Sequence, residues 1–337
     1  FDEIPPDRED GGSSWVHTAL IVTGKLGRLR AWWLTPLWIA LALLSALPWQ
    51  GQRGTLTAIA AGFIVADWIL LAALPWTRRS WGPVSPSLLG LSVVHTILFL
   101  LCGILRSGGI PPSGDILLRG GLPLWGTLIL NATVTGIAWY ATWIEPFAIR
   151  LSRETLSVEA WPADTPVTLL HISDIHFERR SLREDRLLAL VDRLQPDLIV
   201  LTGDYLNLSS VYDPEAQAGA RRMLAQLSAP YGVYAITGSP VVDREGIVPE
   251  IFAGLPIRWL DDEVVEIQVG TDTLSLLGIR NTYHEERDIQ ALKEATAKAP
   301  ASGPRVLLYH TPDLAPVAAD TGIDLYLCGH THGGQIR

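Results

Sequence analysis

The chain has 337 residues, of which 48% are hydrophobic and 18% charged, so it is apolar for a protein dissolved in water. Its formal net charge of −9 argues against a nucleic-acid partner, because nucleic acids are bound by basic surfaces. Two isolated cysteines, Cys102 and Cys328, exclude a disulfide framework and fit a reducing compartment.

The two halves of the chain differ in composition. Residues 1–150 carry eight acidic and ten basic residues and hold 11 of the 13 tryptophans. Residues 151–337 carry 27 acidic and 16 basic residues, a net charge of −11. This segregation predicts a first half solvated by lipid and a second half solvated by water.

Residues 1–30 are predicted to form a disordered and interfacial segment. Residues 1–14 are acidic and contain two prolines and two glycines, which favours disorder. Residues 15–23 are apolar but shorter than the roughly 20 residues that cross a bilayer. Because the chain starts with Phe1 rather than Met, we expect it to be a fragment or a processed form.

Four apolar stretches follow, and they predict a four-helix transmembrane domain over residues 31–145. Each has about the length of a membrane span, and tryptophans mark the ends. The alternative, a set of buried helices in a large soluble core, is disfavoured by the short connections rich in glycine and proline. The predicted spans are residues 31–49, 55–76, 87–105 and 121–144.

Charged and polar residues refine this interpretation. Seven basic residues flank one side of the predicted spans and three the other, which places the amino terminus and the second half in the cytoplasm. Asp67, His95 and Asn131 lie near the middles of three spans. They form either a proton or substrate path or a hydrogen-bonded cluster that fixes helix packing, and the cluster is favoured.

After a linker over residues 146–165, residues 166–337 alternate β-like runs with helical periods, which predicts an α/β fold. A first strand is predicted from Thr155, before Pro162. The other predicted strands are 167–173, 197–202, 232–237, 264–269, 273–279, 305–309 and 323–328. The predicted helices are 182–194, 215–227, 247–255 and 288–298.

Polar residues follow these strands at their carboxyl ends, which meet at one rim of a parallel sheet. Oxygen and imidazole ligands in this number suit two divalent ions such as Mn, Fe or Zn that share a carboxylate. An aspartate alone would more often cap a helix. Aspartates and histidines that occur together at successive strand ends favour a metal site. The candidates are Asp174, His176, Asp204, His310, His330 and His332.

The motifs Asp174-Ile175-His176, Gly203-Asp204 and Gly329-His330-Thr331-His332 resemble the signature of the calcineurin-like metallophosphoesterase superfamily. The resemblance covers residues 167–335, and the ending Thr-His-Gly-Gly-Gln is similar to a bacterial membrane-associated subgroup that includes UDP-diacylglucosamine pyrophosphatase-like enzymes. It implies a four-layer α/β/β/α domain, incomplete at its carboxyl end. It also implies that Asp174, His176 and His332 hold one ion, that Asp204 bridges, and that His310 and His330 hold the second.

The resemblance implies a membrane-tethered hydrolase of phosphodiesters or pyrophosphates that attacks phosphorus with a metal-bridging hydroxide. His330 and Asp204 would be its catalytic residues. The bilayer would be its partner and a lipid-linked phosphate its substrate. Its location would be a bacterial cytoplasmic membrane, with the catalytic domain in the cytoplasm.

One element departs from the family pattern. Where the family has Gly-Asn-His, this chain has Gly238-Ser239-Pro240. Ser239 offers a weaker oxygen, Pro240 offers no polar side chain, and either Asp243 or His284 is a candidate replacement. Three outcomes stay open: a replaced group, a weak second ion, or a catalytically impaired module that binds a ligand or partner.

Three further residues are assigned supporting roles. Asn207 is expected behind the ligands, Tyr205 on the pocket wall, and His171 in the core. A transporter-like function centred on Asp67, His95 and Asn131 ranks behind the hydrolase and the binding module.

Overall fold

The computed structural model describes residues 29–79, 84–107, 121–158, 161, 166–300 and 302–332. It divides into a helical unit, which ends at Ile149, and a second unit, which begins at Arg150. The predictions made for residues 1–28 and 333–337 lie outside the described residues.

The described residues of the helical unit form four α-helices: α1 (Thr35–Ser45), α2 (Arg53–Ala72), α3 (Val84–Ser107) and α4 (Gly121–Trp143). The last three match predicted spans, but α1 is only 11 residues long. Pro36 stands in its first turn, where no hydrogen-bond donor is needed, and Pro48 disfavours helical geometry at Leu47. A 3-10 helix over Ala31–Leu34 precedes α1, so the apolar helical segment covers Ala31–Ser45, and its role as a membrane span stays a prediction.

Two helical segments, Arg53–Thr77 and Val84–Arg106, are long and apolar enough to cross a membrane. The surface of the unit is apolar as well, since Trp33, Ile69 and Ile129 are exposed over 63%, 57% and 63% of their areas. Its interior holds apolar clusters around Phe99 and Leu88 together with buried polar groups. An apolar outer surface over such an interior fits the predicted membrane domain.

The three polar residues predicted at mid-span lie together and are almost fully buried. His95 Nε2 lies 2.8 Å from Asp67 Oδ2, and His95 Nδ1 lies 2.6 Å from Asn131 Oδ1. Thr135 donates to the other Asp67 oxygen at 2.8 Å. The cluster therefore joins α2, α3 and α4 by side-chain hydrogen bonds.

The second unit contains two four-stranded sheets. Strands β1 (Leu169–Ile172), β2 (Leu198–Leu201), β3 (Val233–Ala235) and β4 (Ile257–Trp259) form a parallel sheet in that order. Strands β5 (Glu263–Val269), β6 (Asp272–Gly278), β7 (Arg305–Leu308) and β8 (Leu325–Leu327) form the other. Only the β5–β6 hairpin is antiparallel.

Five helices accompany the sheets: α5 (Leu182–Leu194), α6 (Pro214–Leu224), α7 (Val248–Phe252), α8 (Glu285–Lys298) and α9 (Ala315–Asp320). Helix α5 has the predicted bounds because its sequence specifies both ends. Ser181 and Glu184 form a capping box at the start, and Gln195 adopts the left-handed conformation that ends it. Residues 155–158 are not in a strand, so that prediction is wrong.

Alternation along the strands builds the layers. In β2, Leu198 and Val200 face a core shared by the two sheets, whereas Ile199 and Leu201 pack against α6 and α7. In β7, Val306 and Leu308 face the shared core, and Leu307 packs against α8 and α9. The unit is thus an α/β/β/α sandwich, as the resemblance implied.

Candidate metal centre

The candidate ligands follow strands β1, β2, β7 and β8 at their carboxyl ends. Five of them adopt the left-handed backbone conformation that side chains rarely take, with φ of 51° at Asp174, 44° at His176, 56° at Asp204, 66° at His330 and 48° at His332. Such residues typically cost about 1–3 kcal/mol each and cluster at functional sites. The rim therefore stores backbone strain at the residues predicted to bind metal.

Asp174, His176 and His332 form the first group of ligand atoms. His332 Nε2 lies 3.1 Å from Asp174 Oδ1 and 3.1 Å from His176 Nε2. The backbone N–H of His330 donates to Asp174, at 3.1 and 3.0 Å from its two oxygens. The loop after β8 is thereby fixed to the loop after β1.

Asp174, Asp204 and His310 form the second group, so Asp174 belongs to both. His310 Nε2 lies 3.5 Å from Asp204 Oδ1. His310 Nδ1 lies 2.7 Å from the carbonyl oxygen of Thr202, to which it must donate, and this leaves Nε2 facing the site as the ligand atom. Asp204 Oδ2 also lies 3.8 Å from His176 Nε2, so Asp204 reaches both groups.

The charges of these groups favour a cation. Burial acts to raise the pKa of Asp174 and of Asp204, but hydrogen bonds from His332 and His310 respectively outweigh it and hold both pKa values below the ordinary range. The hydrogen bond to Asp174 raises the pKa of His332, and Asp204 raises that of His310 against the effect of burial. Burial lowers the pKa of His176, so its ring is available as a neutral ligand.

The donor set fits divalent ions. The Nε2 atoms of His176 and His332 lie 3.1 Å apart, and an oxygen of Asp174 lies 3.1 Å from that of His332. Two ring nitrogens at this distance need a shared proton or a cation between them. Nitrogen and carboxylate oxygen ligands suit Mn, Fe or Zn. These residues could therefore hold metal at two overlapping positions.

His330 differs from the other candidates because it belongs to neither group. Its exposed ring lies edge-on to that of His310, with centroids 5.2 Å apart. Asp174 completes the second group instead. His330 is thus placed beside the second group, and its assignment as a ligand stays a prediction.

Ser239 lies among the ligands of the second group. Its hydroxyl is 3.2 Å from His310 Nε2 and 3.3 Å from Asp204 Oδ2, and its N–H donates to Asp204 Oδ1 at 2.7 Å. A serine hydroxyl thus occupies the part of the site where the family pattern has an asparagine. Pro240, the next residue, adds no polar atom.

Of the two candidate replacements, Asp243 is buried behind the ligand loops. Its carboxylate accepts from the backbone N–H groups of Asp204 and Gly238, both at 2.7 Å, and of Tyr205 at 3.1 Å. Burial and the neighbouring charge of Asp204 raise the pKa of Asp243 to about 7. It holds two loops together rather than facing a substrate.

His284, the other candidate, is exposed at the start of α8 and belongs to neither ligand group. Tyr283, the residue before His284, was not among the candidates predicted from the sequence. Tyr283 is exposed over 54% of its area, but partial desolvation of its phenol raises the pKa, with a hydrogen bond to the Ser239 side chain opposing that rise and Asp204 adding to it. Tyr283 also has φ of 60°, a left-handed turn that no motif in the sequence indicates.

The remaining candidates have structural contacts. Asn207 caps the helical turn at residues 208–210 by accepting from the Ser209 N–H. Tyr205 is buried in the core and its hydroxyl donates to the carbonyl oxygen of Ile236 at 2.7 Å, so it does not line a pocket wall. His171 Nε2 is paired with the Thr202 hydroxyl at 2.7 Å, as expected for a satisfied core histidine.

A two-sheet α/β/β/α domain with carboxylates and imidazoles gathered at its rim defines a metallophosphoesterase. The family described as calcineurin-like phosphoesterase matches residues 167–334. The chain belongs to this family, and its second unit is that of a phosphoester hydrolase.

Three relatives illustrate the range of the similarity. Phosphodiesterase YaeI of Escherichia coli is 29% identical over 218 residues, which cover 64% of this chain and 77% of the relative. An uncharacterized metallophosphoesterase of Aquifex aeolicus is 30% identical over 214 residues, covering 57% and 73%. UDP-2,3-diacylglucosamine pyrophosphatase LpxG of Chlamydia trachomatis is 24% identical over 261 residues, covering 62% and 77%.

Proposed function

We propose that this protein is a membrane-anchored hydrolase of phosphodiesters or diphosphates that uses two divalent ions. The observation that carries the proposal is the pair of overlapping ligand groups, which share Asp174 and both lie within reach of Asp204. Two ions held there would lower the pKa of a shared water and offset charge on phosphoryl oxygens. Relatives named as a phosphodiesterase and as a pyrophosphatase support the choice of bond.

The residues of this chain have distinct tasks in that reaction. Asp174 and His310 are held by hydrogen bonds to the backbone, so their ligand atoms keep their positions before any ion arrives. His330 is exposed beside His310, and it is placed to donate a proton or a hydrogen bond to a departing oxygen.

Membrane anchoring rests on the helical unit. Its two long apolar helices, its exposed tryptophans and its apolar outer surface support insertion in a bilayer. An anchored active site favours a substrate at the membrane surface, such as a lipid-linked phosphate. The cytoplasmic face of a bacterial membrane is our proposal for its location, based on the distribution of basic residues.

The test is turnover of bis(4-nitrophenyl) phosphate by the full chain in detergent with added Mn²⁺. We expect Asp204→Asn to lower kcat/KM by about 100-fold or more, because one of the two carboxylates in reach of both groups loses its charge. Asp213→Asn is the matched control: Asp213 caps α6 at the surface, and asparagine caps equally well.

The competing function is a module that binds metal and a phosphorylated ligand without hydrolysing it, and Ser239-Pro240 is the observation that favours it. Wild-type protein that binds Mn²⁺ but has no turnover sensitive to Asp204→Asn would establish that function instead. A large gain of rate in Ser239→Asn/Pro240→His would then show that these two residues cause the loss.

A further inference from the structure

A cavity of about 570 Å³ opens beside the second ligand group. Pro240 is part of its wall and directly follows Ser239, whose hydroxyl contacts Asp204 and His310. The cavity therefore adjoins the second ligand group at Pro240. Its lining residues are Tyr212, Gln217, Pro240, Arg244, Glu245, Gly246 and Ile247.

The backbone fixes one of these residues, Arg244, against the metal site. The N–H groups of Val242 and Asp243 donate to the carbonyl oxygen of Ser239 at 2.9 and 2.8 Å, which closes a tight turn. The Asp243 carboxylate then binds the backbone of Gly238 and Asp204. Arg244 directly follows Asp243 in the chain, so its backbone position is set by the same contacts that hold the metal ligands.

The guanidinium of Arg244 has no anionic partner among the described residues. Its central carbon lies 5.4 Å from the centroid of the Tyr212 ring, and its Nε is buried without a hydrogen-bond acceptor. The carboxylate in the cavity lining, Glu245, is paired with Arg280 at 2.5 Å. The cavity thus carries one uncompensated positive charge on an aromatic face, an arrangement that suits a phosphate group.

We infer that this cavity binds the second phosphoryl group of a diphosphate diester, with Arg244 donating to its oxygens. The inference rests on the proposed hydrolase function and narrows its substrate class. Water adds to the phosphorus at the metal ligands, the bond from that phosphorus to the bridging oxygen breaks, and the departing phosphate keeps the electron pair. The two monophosphate products share the two protons of the water.

Arg244 offsets the negative charge that grows on the departing phosphate. Tyr212, Pro240 and Ile247 provide an apolar wall for the organic group attached to it. A simple phosphodiester places a neutral organic group there and leaves the guanidinium without an anion. The cavity therefore favours a diphosphate over a phosphodiester.

The probes are methylenediphosphonate and methylphosphonate, which differ by the second phosphoryl group and are not hydrolysed. Their affinities for the Mn²⁺-loaded full chain are measured by calorimetry and by inhibition of bis(4-nitrophenyl) phosphate turnover. Arg244→Gln is expected to weaken diphosphonate binding by about 10- to 100-fold, the effect of one lost charge-assisted contact, and to leave methylphosphonate binding within about twofold. Arg244→Lys should recover part of the loss.

A second pair of variants avoids any dependence on the folding of the arginine variant. Gly246 lines the cavity, and a Cβ atom built there meets no other atom within 4 Å. Gly246→Glu should therefore fold and repel the diphosphonate by at least about tenfold, whereas Gly246→Gln should not. Arg222→Gln, at an exposed arginine that lines a different cavity, is the control and should change neither affinity.

The outcomes separate the two proposals. Equal losses for both phosphonates, or none, in Arg244→Gln and Gly246→Glu would overturn the diphosphate site. If no Asp204-dependent turnover is detected, the hydrolase proposal is overturned. The relative affinities for the two phosphonates, measured by calorimetry, would still decide whether the cavity binds a second phosphoryl group.

Discussion

Ser239 shows how one side chain can change the second ligand group without disturbing the fold around it. Its hydroxyl lies among His310 Nε2 and Asp204 Oδ2, the atoms that an ion in this group must contact. A neutral hydroxyl is a weaker ligand than an amide oxygen carried closer by a longer side chain. We therefore expect the second ion to bind less tightly than with the asparagine of the family pattern, and its affinity to depend on the Ser239 hydroxyl.

We predict that Ser239→Ala weakens binding of the second equivalent of Mn²⁺ by about 10- to 100-fold and leaves the first nearly unchanged. The physical reason is that the hydroxyl contacts Asp204 and His310, and neither His176 nor His332 depends on it. Isothermal titration of the metal-free full chain measures both equivalents.

Ser275→Ala provides the control for this prediction. Ser275 is also fully buried in the same unit, but its hydroxyl has no hydrogen-bond partner. The same truncation should leave both metal affinities unchanged. Equal effects of the two substitutions, or a weaker first equivalent in Ser239→Ala, would show that the hydroxyl acts on the fold and not on the second ion.

Much of the candidate site could be predicted because strand ends are readable in the sequence. Each ligand follows an apolar run, and parallel pairing brings the ends of β1 and β2 together in one sheet and those of β7 and β8 together in the other. The packing of the two sheets on a shared core, which the strand ends do not specify, then brings the two sets of ligands to one site. The roles of Asp243 and Tyr283 could not be predicted in this way. They depend on a tight turn and on a left-handed residue, which local sequence does not specify.

Helix-scale organisation centres on the buried cluster of Asp67, His95 and Asn131. Asn131 donates its amide to the carbonyl oxygen of Thr127, so its own oxygen faces His95 Nδ1, which must donate. One proton is then shared between His95 Nε2 and Asp67. The cluster is satisfied on every side, which favours a packing role over a transport path.

We predict that His95→Leu lowers the unfolding free energy of the helical unit by about 3–5 kcal/mol, because it leaves the Asp67 charge buried without its partner. The double variant Asp67→Leu/His95→Leu should lose less than the single one. Thermal unfolding of the full chain in detergent measures both losses.

Thr133→Ala is the matched control on α4, since the Thr133 hydroxyl bonds only to its own helix at the exposed surface. It should change stability by less than about 0.5 kcal/mol. A double variant that is less stable than His95→Leu would contradict a paired role for the two residues. Loss of an ion or proton flux with unchanged stability would favour the transport path instead.

The longer elements of the second unit followed from period and length, whereas two of its short elements, β4 and α9, were not predicted. Helix α5 and the β5–β6 hairpin are long enough for a repeat of 3.6 or 2 residues to be visible. Strand β4 has three residues and α9 has six, too few to show a period. Both are held in place by the layers around them rather than by local preference.

At the scale of the whole molecule, the metal centre links folding to pH. In metal-free protein, Asp174 and Asp204 have lowered pKa values, so the stability they contribute is present above their unfolded pKa of about 4 and is lost as the pH falls through the folded values. His310 and His332 have raised pKa values, so their contribution is present below about pH 6.5 and is lost as the pH rises through the folded values. The ion pairs of the metal-free rim therefore stabilise it most between about pH 4 and 6.5.

Bound metal is expected to remove the loss of stability above about pH 6.5, because an ion takes the place of the protons on His310 and His332. We predict that Mn²⁺ at about 100 times its Kd stabilises the metallophosphoesterase unit by about 2.7 kcal/mol, and that the same Mn²⁺ concentration raises Tm more at pH 8 than at pH 6. Calorimetric unfolding of the full chain with chelator and with Mn²⁺ at both pH values measures the difference.

Asp213→Asn should behave as wild type, whereas Asp204→Asn should lose most of the gain in Tm at both pH values. Equal gains at pH 6 and pH 8 in the wild type would mean that no proton leaves these histidines when metal binds, which is incompatible with their assignment as ligands.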